Sequence, residues 1–261
     1  MAGRGQLPLI FADEARKAGA HVIGIAINDL TDKALEAHVD KIYWGDITQP
    51  GKALEIFRQE KINFVAMTGK IPKAVIFNKK FNLDEHVTEV LRNTIDSKDY
   101  TIIKAIAIKL RREGIKVMDT TIYLSKLIPK RGLIAKRPPT KEEWQDIKFG
   151  RVVAKKISGM DIGQAVMVRK KMVITVEAHE GTDKMIRRAG GLDSDGAVVV
   201  KVSRPHQDMR FDVPTVGPET IDSLIVSKAK VLAVEAKKTL MVDREEIVRK
   251  ADAAGIAVVA I

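Results

Sequence analysis

The sequence predicts an α/β protein of two domains. Residues 1–128 form the first, around a parallel sheet covered by helices; residues 129–145 form a linker; residues 146–261 form a second, more strand-rich α/β domain. Three observations lead there. The first half alternates short apolar runs with stretches of helical periodicity, the pattern of strands joined by helical crossovers. The stretch from Pro129 to Trp144 breaks that rhythm with Gly132, Pro138, Pro139 and many basic residues, and a long surface loop is its alternative reading. Beyond it, paired apolar runs recur at closer spacing.

Leu7 to Ala18 reads as a helix, His21 to Ile27 as a buried strand, Ile42 to Trp44 as a short strand, and Pro50 to Glu60 as a helix opened by proline. Asn63 to Thr68 is strand-like and stops at Gly69. Ile102, Ile103, Ile106 and Leu110 give Asp99 to Glu113 a helical spacing, and Ile115 to Met118 returns as a strand. In the second half, Ala165 to Ala178 predicts two strands turning at Arg169 to Lys171. Val231 to Asp243 predicts a similar pair turning at Lys237 and Lys238. Each contains Val-Glu-Ala, at 176–178 and 234–236, which is either a small internal repeat or two similar strands. Ala197 to Val202 is a further strand. Asp243 with Glu246 suggests a capped helix to Ala254, and Ile256 to Ile261 a closing strand.

Composition narrows the function classes. With no cysteine in 261 residues, disulfides, thiolate metal sites and cysteine nucleophiles are excluded. No secretory signal and no apolar run long enough to span a membrane stand out, which predicts a cytoplasmic protein. The net charge of +11 suits an anionic partner, a phosphate-bearing substrate or an acidic membrane surface; a generally lysine-rich surface is the competing explanation. Aromatic residues make up only 5%, so a stacking platform for nucleic acid is not expected.

Three segments carry candidate chemistry. Gly3 and Gly5 precede the first helix, where free amides attract phosphate; a flexible terminus fits that spacing equally well. His179 to Arg188 follows a strand, and Glu180, Gly181, Thr182 and Asp183 precede Arg187 and Arg188 by about one turn. Carboxylates beside paired arginines suit a metal-bridged phosphate, although Thr182 alone reads best as a helix cap. Lys201 to Pro214 places Asp208, Arg210 and Asp212 at alternate positions, so an extended chain projects all three to one side. Such a trio can hold Mg²⁺, orient water and contact phosphate. A surface loop of compensating charges is the alternative, and His206 reads as structural.

At these residues the chain resembles the UDP-2,3-diacylglucosamine pyrophosphatases of lipid A biosynthesis, the isozyme type unrelated to calcineurin-like metallophosphoesterases. The resemblance rests on Asp161-Ile-Gly-Gln-Ala-Val, on Val176 to Gly190, on Gln207-Asp-Met-Arg-Phe-Asp-Val-Pro-Thr-Val-Gly-Pro-Glu-Thr, and on the segments around Val234, Val242 and Ala251. Gly3-Arg-Gly-Gln-Leu-Pro, Thr68-Gly-Lys and Asp146-Ile-Lys-Phe-Gly fit in addition. It implies a Rossmann-like N-terminal domain, a distinctive C-terminal α/β domain and substrate between them. It also implies Mg²⁺-dependent attack of water on the α-phosphate, giving UMP and 2,3-diacylglucosamine 1-phosphate (lipid X).

Carried over, Asp208 is the first choice for the essential carboxylate, with Asp212 and Arg210 beside it. Asp183 would join Asp208 as a metal ligand, and Glu180 is a weaker candidate. Lys201, Arg187, Arg188, Gln207, Gly181, Thr182, Gly3, Gly5 and Gly69 would contact substrate. The family reading further implies a homodimer that touches the cytoplasmic face of the inner membrane, where a diacyl substrate resides, and no nucleic-acid partner.

Three departures stand out. The chain begins inside the strand expected before the glycine loop, so the first sheet should lack an edge strand or start upstream. Lys98-Asp99 replaces an acidic pair, and Ile71-Pro72-Lys73 replaces Arg-Pro. The rival readings are a nucleotide-sugar-binding protein without catalysis, a basic nucleic-acid binder, and an oxidoreductase, the last disfavoured by the missing dinucleotide fingerprint.

Overall fold

The computed structural model describes residues 1–46, 49–71 and 99–261; the departures at Pro72, Lys73 and Lys98 lie outside them. The chain divides into two units, one of Met1–Ser125 with Met209–Asp212, the other of Lys126–Asp208 with Val213–Ile261.

In the first unit, helix α1 (Leu7–Lys17) starts with Pro8 in its first turn and buries Phe11, Ala12 and Ala15. Strand β1 (Ile23–Ile27) pairs in parallel with β2 (Lys41–Gly45). Helix α2 (Pro50–Gln59) leads to β3 (Phe64–Val65), and α3 (Asp99–Arg112) to β4 (Lys116–Val117), which pairs in parallel with β3. The one-turn helix α4 (Thr121–Leu124) returns to α1, with Tyr123 edge-on to Phe11 at 5.4 Å. Ala2 bridges in parallel to both Ala26 and Thr68. The first residues therefore lie between two strand segments rather than leaving an open edge there. Phe211, 2% exposed, joins the core of Ile25, Leu54, Phe57 and Leu110. The Thr120 hydroxyl donates to the Met209 carbonyl at 3.2 Å, which fixes the start of the same short segment.

The second unit is built on six strands in the order β5-β12-β10-β8-β6-β7. These are β5 (Gly132–Leu133), β6 (Ala165–Arg169), β7 (Met172–Val176), β8 (Val198–Lys201), β10 (Val231–Val234) and β12 (Ala257–Ala260). The central three run parallel, while β5 and β6 are antiparallel to their neighbours β12 and β8. Helix α5 (Lys141–Gly159) covers one face through Ile147, Ala154 and Ile157. Helices α6 (Thr182–Ala189), α7 (Pro218–Val226) and α8 (Arg244–Ala253) cover the other. With both faces covered, β8 and β10 are buried at every position, as parallel central strands require.

Two expectations are corrected here. The linker over 129–145 is folded: Leu133 pairs with Val259, Ala135 is buried, and α5 starts on a Thr140/Glu143 capping box. The second hairpin is absent, because β10 stays in the large sheet while β11 (Leu240–Met241) pairs in parallel with β9 (Thr215–Val216). The four-residue apolar run Val231–Val234 is the signature of a central parallel strand, which needs a crossover rather than a tight turn. The first hairpin forms as expected, with Lys170 and Lys171 both at positive φ in its two-residue turn.

Candidate functional site

A group of the second unit's buried polar side chains lies at the carboxyl ends of β7 and β8, the position at which open α/β sheets usually carry ligands. Lys201 ends β8, Glu177 follows β7, and Thr182 opens α6. The Lys201 ammonium donates to Thr182 Oγ1 at 2.6 Å, and the Thr182 hydroxyl donates to Glu177 Oε1 at 2.8 Å. The other Glu177 oxygen accepts the Gln164 amide at 3.0 Å. The three side chains belong to residues only 7%, 8% and 9% exposed, so this is a buried chain of hydrogen bonds with a cation at one end and a carboxylate at the other.

Just after β10, Glu235 accepts from Lys155 Nζ, the Ser203 amide and the Ser203 hydroxyl, each at 2.7 Å, and Ser203 lies two residues beyond Lys201. Burial alone would raise its pKa, but the hydrogen bonds from Lys155 and Ser203 outweigh that and hold it below the ordinary glutamate value. Arg204 pairs with Asp161 at 2.8 Å, which ties the loop after β8 to the turn after α5. That turn contains Asp161 in the left-handed region, at φ 58°.

Of the expected residues, Thr182 and Lys201 are thus in direct contact, and Gly181 supplies the positive φ, 84°, that brings the chain into α6. Glu180 accepts from Arg188 at 2.7 Å, and that bond lowers its pKa. Arg187 donates to Ser223 at 3.1 Å, and Asp183 accepts from Thr220 at 2.9 Å; both bonds link α6 to α7. Gln207 accepts the Arg204 amide at 3.3 Å and donates to the Asp208 carbonyl at 3.1 Å. Asp208 is half-buried.

The extended arrangement expected for Asp208, Arg210 and Asp212 is not observed. The chain turns at Met209–Arg210 and Asp212 has φ 45°, so alternation no longer places the three side chains on one face. Phe211, between Arg210 and Asp212, is buried in the core of the first unit. Arg210 lies over that ring at 4.9 Å.

Among the described residues, no group of three or more His, Asp or Glu side chains is assembled to hold a metal. Asp183 and Glu180 already have the partners named above. Mg²⁺, however, commonly binds through one or two carboxylates, waters and substrate phosphates rather than an all-protein cage.

In the first unit, the Gly3 amide donates to the Thr68 carbonyl at 2.8 Å, and Arg4 and Lys70 exchange main-chain bonds at 2.9 and 3.0 Å. A Cβ on Gly3 would lie 2.7 Å from the Lys70 carbonyl oxygen, and one on Gly69 2.8 Å from the Gly3 carbonyl carbon. These glycines are therefore required for backbone approach, and the Gly3 amide is used within the fold. Gly5, at φ 100°, faces open space and turns the chain toward α1.

The LpxI N-terminal domain model matches residues 1–127 and the LpxI C-terminal domain model residues 130–259, in the same order and over nearly the whole chain. The chain belongs to the LpxI family. A relative from Caulobacter vibrioides, the UDP-2,3-diacylglucosamine pyrophosphatase LpxI, is 27% identical over 272 aligned residues, covering 100% of this chain and 96% of the relative. The seam between the two family domains falls close to the division between the two structural units.

Sequence reasoning missed Glu177, Glu235, Ser203 and Lys155. A signal existed in the repeated Val-Glu-Ala. Each copy ends a strand and leaves its glutamate at the sheet's edge, but β7 is an outer strand and β10 a central one, so the copies are not an internal repeat.

Proposed function

We propose that this chain hydrolyses the pyrophosphate of UDP-2,3-diacylglucosamine by attack of water on the α-phosphate, releasing UMP and 2,3-diacylglucosamine 1-phosphate. The observation that carries the reading is the match of both LpxI domains, in order, together with a relative aligned along the full chain and named as a UDP-2,3-diacylglucosamine pyrophosphatase. The buried cationic end of β8 supports it, since a diphosphate needs oriented positive charge more than it needs covalent chemistry.

In this reading Asp208 is the essential carboxylate, orienting the attacking water, with Asp212 and Arg210 following it in the same segment. Lys201 contacts a phosphate oxygen, with Arg187, Arg188 and Gln207 as further contacts. Mg²⁺, bound through Asp208 and the substrate's own phosphates, would lower charge repulsion against the incoming water. The first unit, whose described strand pairs are parallel, is read as Rossmann-like, with the loop segments of Gly3, Gly5 and Gly69 assigned to the nucleotide.

No helix among the described residues is long and apolar enough to cross a membrane. Contact with a diacyl substrate is assigned instead to a cytoplasmic homodimer docking transiently on the inner membrane through its net charge of +11. Flotation with anionic liposomes should then fall as salt rises.

The deciding experiment is turnover of UDP-2,3-diacylglucosamine with Mg²⁺ in ¹⁸O-water, beside Asp208→Ala. Labelled UMP from the wild type alone supports the reading. Label in the lipid phosphate keeps the hydrolase but moves the attack to the β-phosphate. Binding without turnover by both proteins would favour a nucleotide-sugar-binding role.

A further inference from the structure

Lys201 ends a strand whose other three residues are valines, and the residue is 7% exposed. An ammonium has three N–H donors. One is given to Thr182 Oγ1 at 2.6 Å, and among the described residues no carboxylate forms an ion pair with it. A buried cation so sparsely partnered is costly to the fold, and an apolar side chain of similar size would serve packing better.

The direction of each bond in the chain is fixed. The ammonium can only donate, so Thr182 accepts, and the single hydroxyl proton of Thr182 then goes to Glu177 Oε1 at 2.8 Å. The Gln164 amide holds the second Glu177 oxygen. Gly163 packs against the Glu177 backbone so closely that any Cβ would collide with its carbonyl oxygen. The glutamate is thus anchored at both its backbone and its carboxylate. A direct Lys–Glu pair would neutralise the ammonium. The intervening hydroxyl lets the carboxylate polarise the cation while leaving its other N–H donors for an incoming anion.

We propose that Glu177 and Thr182 are positioning residues that hold the Lys201 ammonium as an oriented donor for a phosphate oxygen of the substrate. The assignment rests on the diphosphatase reading above, and deepens it by adding Glu177 and by recasting Thr182, expected as a substrate contact, as a residue that acts through the lysine.

The test is a mutant cycle on the full chain, with kcat and KM for UDP-2,3-diacylglucosamine and thermal melts for every variant. Thr182→Val and Glu177→Gln should lower kcat/KM by about 10- to 100-fold, the range for losing a hydrogen bond to a charged group. Thr182→Ser should restore most of that loss. In a Lys201→Met background neither substitution should cause further loss, because both act through the lysine. Full activity of Thr182→Val, or an equal loss when Lys201 is already methionine, overturns the proposal. Should Thr182→Val fail to fold, Glu177→Gln carries the same cycle.

Failure of the diphosphatase reading is seen separately, as a wild type that releases no UMP. Calorimetric titration with inorganic pyrophosphate then decides the positioning role. Binding weakened by Lys201→Met and Thr182→Val and regained in Thr182→Ser supports it. Binding equal in all four proteins, or absent from the wild type, overturns it.

Discussion

In the first unit the segment Gly3–Gly5 is held by main-chain hydrogen bonds to Thr68 and Lys70, and its glycines matter because they lack a side chain. At the sheet edge of the second unit the reverse holds. Lys201, Glu177, Glu235 and Ser203 are placed by hydrogen bonds between side chains, or from side chain to amide, on a backbone that valine-rich strands already fix. A glycine pattern in a sequence advertises itself as a phosphate cradle, yet it serves equally to let two backbones meet. Buried charge at a strand end is quieter in sequence and more demanding physically, because every donor and acceptor there must be matched.

The contrast predicts opposite sensitivities. Gly69→Ala should give the largest loss. Its Cβ would meet Gly3, Arg4 and Pro8 at 2.8–2.9 Å and its φ is 84°, so a cost of about 3 kcal/mol in urea unfolding is expected. A near-neutral result would break the backbone account of this loop. Next comes Glu235→Gln at about 2 kcal/mol, since it strips Lys155 of its carboxylate and weakens the hold on the Ser203 loop.

That second loss should depend on pH. The folded-state pKa of Glu235 lies below its ordinary 4.5. Its stabilisation is therefore complete above 4.5 and disappears as pH falls through the lowered value. Urea midpoints of wild type and Glu235→Gln should differ at pH 7 and draw together as the pH is taken progressively below 4.5; a constant gap would sink the electrostatic explanation. Gly5→Ala should cost only about 1 kcal/mol, because φ is unfavourable at 100° but space is open. Arg188→Ala should be smallest, below about 0.5 kcal/mol, because the Arg188–Glu180 pair is solvent-facing with Arg188 54% exposed.

Much of the fold was legible because local patterns are strong. Helices α1, α2 and α3 and strands β1, β6, β7 and β8 fall within a few residues of their predicted spans, each marked by periodicity, proline or a basic turn. The Asp243 cap of α8 was legible too, with Asp243 accepting the Glu246 amide at 3.4 Å. The start of α5 was readable from Thr140 and Glu143, but the surrounding prolines and basic residues outweighed that signal. The pairing of β5 with β12 was not readable, because a two-residue strand has no periodicity of its own.

For the candidate site, residue types were legible and company was not. Thr182 and Lys201 were singled out on motif, whereas Glu177 and Glu235 look in sequence like ordinary polar residues after a strand.

The sequence by itself determined the two α/β halves, the absence of thiol chemistry and the segments in which charge collects, since these depend on composition and on spacings of two to four residues. Tertiary structure alone decided which charges meet. Lys201 and Glu177 are 24 positions apart and join only because β6 pairs with both β7 and β8. Likewise Phe211, in the segment that turns at 209–210, is buried among residues far from it in sequence, in a core that includes Ile25, Leu54, Phe57 and Leu110. Burial of an aromatic ring and the register of a sheet are long-range gains in free energy, and no local pattern encodes them.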